Sequence, residues 1–140
     1  TINIGSGVKT IGKNAFAYNR QLVNLNISSD VSDLTIGAGA FYNNRSLENL
    51  ILPKGVTSIG NEAFRYIDSL RTVTIASGSQ LQTVGEYAFA NNPKLQSIEL
   101  VNAAMLTDIP KGLLNSCPQL TTITLPDAVQ TVGSGAFSDT

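Results

Sequence analysis

The sequence predicts an α/β repeat fold, a solenoid with a parallel sheet on one face and short helical turns on the other. First, an aliphatic residue, Gly, two variable residues and Ala-Phe recur along the chain, with aliphatic residues 6, 9 and 11 positions after the Phe. Second, the copies follow each other at regular intervals along the whole chain. Third, each copy contains one segment with the apolar alternation of a half-buried strand. A period of about 20 to 29 residues with one strand per unit is typical of a solenoid whose units share a common core.

The Phe of this pattern, which we term the Phe position, defines the units. Residues 1–4 match only the end of a unit, and the last unit stops at Thr140 before its strand. We therefore expect five to six units, each of about 23 to 25 residues, within the period range of such solenoids. We expect them to form a single domain over residues 1–140, which would be a fragment of a longer protein without its two capping units. The six Phe positions are occupied by Phe16, Phe41, Phe64, Phe89, Leu114 and Phe137.

A strand is predicted after each Phe position. In the first complete unit Leu22, Leu25 and Ile27 point inward, and the residues between them point outward. Six such strands about 4.8 Å apart would form a parallel sheet about 25 Å long. The inward residues of the later units are Leu47, Leu50, Leu52; Leu70, Val73, Ile75; Leu95, Ile98, Leu100; and Leu120, Ile123, Leu125.

The Ala-Phe segment is predicted to be a short helical turn, because parallel neighbours need a crossover. Pro93 and Pro118 follow the Phe position by four residues, and the residue before a proline is pushed out of helical geometry. The Gly that recurs before Ala-Phe is attributed to turn geometry rather than to phosphate binding. The fifth unit keeps the volume but changes the pattern, with Ile-Pro-Lys-Gly-Leu-Leu at residues 109–114.

This unit resembles that of the BspA-like, or Treponema-type, leucine-rich-repeat family. The family's unit reads roughly aliphatic-G-x-x-A-F-x-x-C-x-x-L-x-x-aliphatic-x-L-P-x-x-V-x-x. Residues 50–60 and 125–133 match its proline segment, and Cys117 falls on its cysteine position. The resemblance covers essentially the whole chain and implies a leucine-rich-repeat solenoid, a right-handed β-α superhelix. The other units carry Asn19, Asn44, Ile67 and Asn92 at the cysteine position.

Composition argues against several functions. The chain has no His, its single Cys117 is predicted to be a buried structural thiol, and its ten Asp and Glu residues share no column of the repeat, so we expect no enzyme, no metal and no cofactor. A net charge of −1 predicts no nucleic-acid binding, and no apolar run is long enough for membrane insertion. Two charge pairs are expected between adjacent units, Glu48 with Arg71 and Arg45 with Asp68.

The outward side of the predicted sheet is the candidate binding face. Its residues are nearly neutral, can form hydrogen bonds and include no aromatic side chain, although sugar-binding platforms usually offer one. The tyrosines Tyr18, Tyr42, Tyr66 and Tyr87 fall around the Ala-Phe turns, which offer an alternative contact face. The candidate sheet-face residues are Asn24, Asn26, Asn49, Ile51, Thr72, Thr74, Ser97, Glu99, Thr122 and Thr124.

The resemblance implies a non-enzymatic interaction or adhesion module of a bacterial exported or cell-surface protein, since BspA-like proteins are typically surface molecules implicated in adhesion. Its partner would be an unidentified protein or glycoprotein, and its location extracellular or at the cell surface. The alternatives are a structural spacer and an accessory repeat domain of a larger surface or cell-wall enzyme. Ile2, Ile4 and Phe137 are expected to be exposed at uncapped ends, which favours end-to-end self-association.

Overall fold

The computed structural model describes all of residues 1–140, which form a parallel β-solenoid with two strand-bearing flanks. The strands of the first flank are β1 (Ile2–Ile4), β3 (Leu25–Ile27), β5 (Asn49–Leu52), β7 (Thr72–Ile75) and β9 (Ser97–Ile98). Those of the second flank are β2 (Thr10–Ile11), β4 (Leu34–Ile36), β6 (Val56–Ile59), β8 (Thr83–Val84), β10 (Asp108–Ile109) and β11 (Thr131–Val132). The one helical element is a 3₁₀ turn at Leu100–Asn102.

The first flank contains the strands that the sequence predicts, and their parallel pairing is confirmed. Asn49 lies opposite Thr72, and Thr72 lies opposite Ser97. The prediction of a sixth strand is wrong, since residues 122–124 form none. Ile123 nevertheless packs against the core, so the side-chain alternation continues where the backbone pairing stops.

The second flank was not predicted, because the aliphatic-Gly segments were interpreted as part of the turns. In β4 the side chains of Leu34 and Ile36 are buried while Thr35 lies between them on the outer side. The Gly after each strand extends the pairing, as the Gly60 N–H donates to the Ile36 carbonyl at 2.7 Å. Where neither flank is interrupted, adjacent coils therefore hydrogen-bond to each other on two flanks rather than one.

These glycines permit close approach of adjacent coils and do not form left-handed turns. A Cβ on Gly60 would lie 2.4 Å from the Ala38 backbone nitrogen, and one on Gly85 would lie 2.3 Å from the Asn61 nitrogen. Neither glycine has a positive φ. The turn-geometry interpretation is thus wrong for this column of glycines, whose missing side chain leaves room for the backbone of the preceding coil.

The Ala-Phe turns are not helical, so that part of the predicted α/β architecture is not present. Residues two before and two after each Phe position adopt left-handed backbone conformations, as in Glu62 (φ 57°) and Tyr66 (φ 60°) on either side of Phe64. A left-handed residue every fourth position stops an α-helix from propagating. The Phe64 N–H instead donates to the Ala88 carbonyl of the next coil at 2.8 Å. The turns therefore form a third hydrogen-bonded ladder.

Proline interrupts the first flank. The Ser28 N–H, just after β3, donates to the Ile4 carbonyl of the preceding coil at 2.9 Å. Pro53 and Pro126 occupy the equivalent position and have no N–H to donate. The pairing is broken between β3 and β5, and again between β9 and residues 122–124. Each break thus lies directly before a proline that lacks this donor.

The same cause interrupts the second flank. Gly133 follows β11 and donates its N–H to the Ile109 carbonyl at 2.8 Å. In the preceding unit Pro110 stands where that glycine would be, and the pairing is broken between β8 and β10. Pro110 removes the donor that the other coils use at this point.

A stack of phenylalanines forms the axis of the core, as predicted. The ring centroids of Phe16 and Phe41 are 5.3 Å apart, those of Phe41 and Phe64 5.2 Å, and those of Phe64 and Phe89 5.4 Å. Leu114 continues the stack as a fully buried residue. One cluster of 35 buried residues surrounds it, so the units share a single core.

The ends are less exposed than expected. Ile4 is 8% exposed, and Ile2 and Phe137 are half-buried against the core. Their side chains point into the coil and are covered by its own residues. The apolar side chain that is exposed at an end is instead Val132 in β11, at 54%, and the outer edges of β1, β2 and β11 are unpaired.

Buried polar groups at the cysteine position bind the turns together. The Asn92 amide donates to the carbonyls of Phe64 (3.0 Å) and Phe89 (2.8 Å), and its oxygen accepts the Ile67 N–H at 2.7 Å. Cys117 is fully buried, as predicted, and its thiol donates to the Phe89 carbonyl at 3.3 Å. Burial raises the pKa of this thiol to about 11, so it stays protonated and unreactive at neutral pH.

Candidate interaction surfaces

The first-flank face brings most of the predicted binding residues together on β3, β5, β7 and β9. All of them are exposed except Thr72 and Thr74, which are half-buried. Glu99 lies between β9 and the 3₁₀ turn, and Thr122 and Thr124 lie in the segment without a strand, so these three do not belong to the sheet. The residues that the structure aligns on this face are Asn26, Asn49, Ile51, Thr72, Thr74 and Ser97, while Asn24 directly precedes β3.

Several of these polar side chains bind one another. The Asn26 amide donates to the Asn3 side-chain oxygen at 2.9 Å, and the Thr72 hydroxyl donates to the Asn49 side-chain oxygen at 2.7 Å. Both pairs follow directly from the strand register. Part of the hydrogen-bonding capacity of the face is therefore used within the protein.

A groove of about 390 Å³ lies beside Ile51, at the point where Pro53 interrupts the sheet. Ile51 is 61% exposed although it is a large aliphatic residue at the middle of the face. Sequence reasoning found Ile51 but not the groove; Pro53 in the donor position was the available signal. The groove is also lined by Ile27, Ala76, Asp30 and Lys54.

The alternative contact face is a row of tyrosines on the turn side. The rings of Tyr18 and Tyr42 meet edge to face with centroids 5.6 Å apart, and those of Tyr42 and Tyr66 do so at 5.5 Å. Tyr18 is 61% exposed. Desolvation, followed by the neighbouring phenols of Tyr66 and Tyr18, raises the pKa of the Tyr42 hydroxyl above its usual value.

Arg65 holds the far end of this row. Its guanidinium carbon lies 4.8 Å from the Tyr66 ring centroid and 5.0 Å from that of Tyr87. The same guanidinium forms an ion pair with Glu62 at 3.1 Å. These contacts place the planar cation against two aromatic rings and fix the edge of the tyrosine row.

A cleft of about 340 Å³ opens beside Tyr18 and Tyr42. Its floor is Ala38 and Gly39, and its walls come from the preceding and following coils. Only one of its wall side chains, Glu62, is engaged in an ion pair. The wall residues are Lys13, Asn14, Asn61 and Glu62.

The two predicted charge pairs have different outcomes. Arg45 and Asp68 approach to 3.5 Å between half-exposed side chains, which confirms that pair. Glu48 and Arg71 form no side-chain ion pair; instead the Arg71 N–H donates to the Glu48 carbonyl at 2.7 Å. Sharing a column brings backbones together but does not fix where exposed side chains point.

The outer side of the second flank carries a column of hydroxyls that sequence reasoning missed. Thr35 lies opposite Thr10 on one side, and Thr131 lies opposite Asp108 at the other end. Hydrogen bonds from the Thr131 hydroxyl and then from Thr107 lower the pKa of the Asp108 carboxyl. The alternation of Thr with Ile or Val was the sequence signal for this column.

No three His, Cys, Asp or Glu side chains are grouped so that they could hold a metal ion. The structure contains no helix with the length and apolar character needed to cross a membrane.

A family model described as BspA type leucine rich repeat region matches residues 1–43 and 34–140, in six copies. A comparison with curated proteins found no match. A leucine-rich repeat protein from Eubacterium ventriosum is 30% identical over 98% of this chain and 42% of its own, with a TM-score of 0.68.

Two further solved structures share the fold. A leucine rich cell surface protein from Faecalibacterium prausnitzii is 20% identical over 97% of this chain and 50% of its own, with a TM-score of 0.62. The pneumococcal vaccine antigen PcpA is 22% identical over 94% of this chain and 46% of its own, with a TM-score of 0.55. The chain spans half or less of the length of these proteins. Because the family model covers the whole sequence, the chain belongs to the BspA type leucine-rich-repeat family.

Proposed function

We propose that this chain is a non-enzymatic interaction module of the adhesion type, and that its first-flank face binds a protein or glycoprotein ligand. The observation that carries the proposal is Ile51, a large aliphatic side chain that is 61% exposed beside a groove of about 390 Å³. Solenoid repeat proteins commonly bind ligands through extended surfaces, and this chain belongs to such a repeat family.

The chemistry around Ile51 fits a protein ligand. An apolar centre surrounded by polar groups is the usual anatomy of a protein interface, in which a few buried anchors supply most of the binding energy. Ile51, Ile27 and Ala76 provide the apolar centre, while Asp30 and Lys54 provide one charge of each sign at the rim. We expect an apolar side chain of the ligand to be buried against Ile51.

An exported or cell-surface location is part of the same proposal. It is supported by the Faecalibacterium prausnitzii relative, described as a leucine rich cell surface protein, and by the pneumococcal relative, described as a vaccine antigen. With identities of 20% and 22% to this chain, they support the fold directly and the location only by analogy.

A binding screen against immobilised matrix glycoproteins tests the proposal by surface plasmon resonance. Ile51→Lys and the double change Thr72→Lys with Thr74→Lys should each weaken binding at least about tenfold. Thr83→Lys is the matched control, because Thr83 is an exposed residue of β8 on the other flank. Binding that survives all the first-flank changes, or an unchanged chain that binds no better than these variants, would refute the assignment to this face.

A structural spacer is the second candidate function. The observation that favours it is the mutual hydrogen bonding of face residues such as Asn26 with Asn3 and Thr72 with Asn49, which leaves them less available to a ligand. It predicts that substitutions on either face leave the activity of a longer parent unchanged. If the chain is instead an accessory domain of a larger surface or cell-wall enzyme, substitutions on either face should likewise leave ligand binding unchanged. Deletion of the whole solenoid should then lower the activity of that enzyme.

A further inference from the structure

We propose that the cleft on the turn side, between Tyr18 and Glu62, binds a neutral pyranose sugar. This site is distinct from the first-flank face, so the two proposals succeed or fail separately. With a volume of about 340 Å³ the cleft is within the range of small-molecule sites, about 300 to 1,000 Å³.

A missing side chain creates the cleft. Gly39 stands two residues before its Phe position with a φ of 62°, and the equivalent residues Asn14 (φ 55°) and Glu62 (φ 57°) have the same left-handed backbone. Side chains are thus compatible with this backbone, and glycine is not required by it. At Gly112, which also lacks a side chain, the Tyr87 ring fills the space, with its Cε1 2.2 Å from where a Cβ would lie. At Gly39 the Asn14 side-chain oxygen lies equally close, 2.2 Å from where a Cβ would lie, so a small amide rather than a ring occupies this space beside the cleft.

The polar groups of the cleft suit hydroxyls that both donate and accept. The Asn61 side-chain oxygen already accepts the Glu86 N–H at 2.9 Å, which leaves its NH₂ group as a donor. The Lys13 ammonium forms no hydrogen bond within the protein, and one Glu62 oxygen is bound by Arg65 while the other is not. Donors and an acceptor are therefore both available, and the opposite charges of Lys13 and Glu62 balance.

The aromatic wall suits the apolar face of a sugar ring. Tyr18 and Tyr42 meet edge to face at 65°, so the two rings line the cleft in different orientations. Tyr18 is 61% exposed and has a large apolar surface in contact with solvent. A pyranose offers C–H groups to such a ring and hydroxyls to the surrounding amides, whereas an anionic ligand would meet Glu62 and a cationic one Lys13.

Saturation-transfer NMR on the full chain tests this site with the methyl glycosides of glucose, galactose, mannose and N-acetylglucosamine. At least one of these glycosides should receive saturation from the protein. Tyr18→Ala and Gly39→Asn should each weaken the binding of that glycoside at least tenfold. Asn suits the backbone at Gly39, as Asn14 shows at the equivalent position. Gly135→Asn is the matched control: it has a φ of 63° at the same position of the last unit, away from the cleft, and should leave binding unchanged.

A pyranose could come from the end of a glycan or from a free sugar. Binding of serum albumin that carries the same sugar, compared with binding of unmodified albumin, distinguishes these two sources. Capture of the glycosylated albumin identifies the end of a glycan as the source, and saturation of the methyl glycoside alone identifies a free sugar. No transfer to any glycoside, transfer that Gly39→Asn leaves intact, or binding of the tripeptide Gly-Gly-Gly in place of the sugars would overturn the proposal.

Discussion

Phe41 and Phe64 stack with ring centroids 5.2 Å apart and planes only 5° from parallel, although they belong to different units of the repeat. Their backbones follow the same spacing, since the Phe41 N–H donates to the Ala63 carbonyl at 2.9 Å. The coil-to-coil distance is therefore set together by ring stacking and by backbone hydrogen bonds. A side chain in this stack supports two neighbours, which makes its removal costly.

Phe64→Ala should lower the free energy of unfolding by about 3 to 5 kcal/mol, because it truncates a fully buried aromatic residue between two others. Urea denaturation followed by circular dichroism measures this. Phe16→Ala is the control at the end of the stack, where the ring is half-buried and has one aromatic neighbour, and it should cost clearly less. Equal costs at the two positions would mean that the stack does not carry the stability of the core.

Gly60→Ala should destabilise the protein by about 1 to 3 kcal/mol, since its Cβ would meet backbone atoms of the preceding coil that have little freedom to move. Gly12→Ala is the matched control at the same position of the first unit, where nothing lies within 4 Å of the added Cβ. It should be neutral or stabilising by up to about 1 kcal/mol, because Ala has less conformational entropy when unfolded. Thermal denaturation of both variants is the measurement, and a similar loss in both would contradict the close-approach explanation.

The phenylalanine stack, the first flank and the shared core could be predicted, because their buried positions recur in the sequence as a periodic pattern of apolar residues. The second flank has a weaker apolar pattern in the sequence, since strands such as Thr10–Ile11 and Thr83–Val84 are only two residues long. The left-handed backbone positions of the turns could not be recognised in the sequence, because residues such as Glu62 and Tyr66 occupy them as well as glycine. Without that signal, a helical turn was the simplest interpretation of Ala-Phe.

The sequence predicts which residues of the candidate surfaces lie side by side, but it does not predict the grooves and clefts between them. Strand register places Asn49 opposite Thr72, so the first-flank face follows from spacing alone. The groove beside Ile51 depends on a hydrogen bond that Pro53 cannot make, and the turn-side cleft depends on the absent side chain of Gly39. Both are local departures from the repeat, which an average over the units conceals.

Asn92→Ala should cost about 2 to 4 kcal/mol, because it leaves the buried Ile67 N–H without an acceptor and removes the donors to two carbonyls. Asn19→Ala is the control, since Asn19 occupies the equivalent position of the first unit but is exposed and makes one side-chain hydrogen bond. It should stay within about 1 kcal/mol of the parent. Urea denaturation compares the two, and a small effect at Asn92 would show that water satisfies the freed groups.

The isolated 140-residue chain should self-associate end to end at high concentration through the open edges of β1 and β11. The Ile2 N–H donates to the Asn24 carbonyl of the next coil, so by alternation the Asn3 N–H points outward. Asn3→Pro removes that donor and should reduce the apparent mass in multi-angle light scattering. Val101→Thr is the control, because Val101 is an exposed residue outside β1 and β11. A strictly monomeric parent chain would contradict the prediction.

Cys117 should make stability fall between about pH 9 and pH 11. Burial raises the pKa of its thiol from 9.0 to about 11, so in this range the unfolded chain loses the proton while the folded chain keeps it. The unfolded state then binds fewer protons, and the free energy of unfolding decreases as pH rises, by about 2 to 3 kcal/mol across the window. Cys117→Ala is the control, because it differs from the parent chain only at the residue that carries the thiol. Its unfolding free energy should decline less steeply with pH than that of the parent in urea denaturation, and identical slopes would mean that the thiol ionises in the folded protein without penalty.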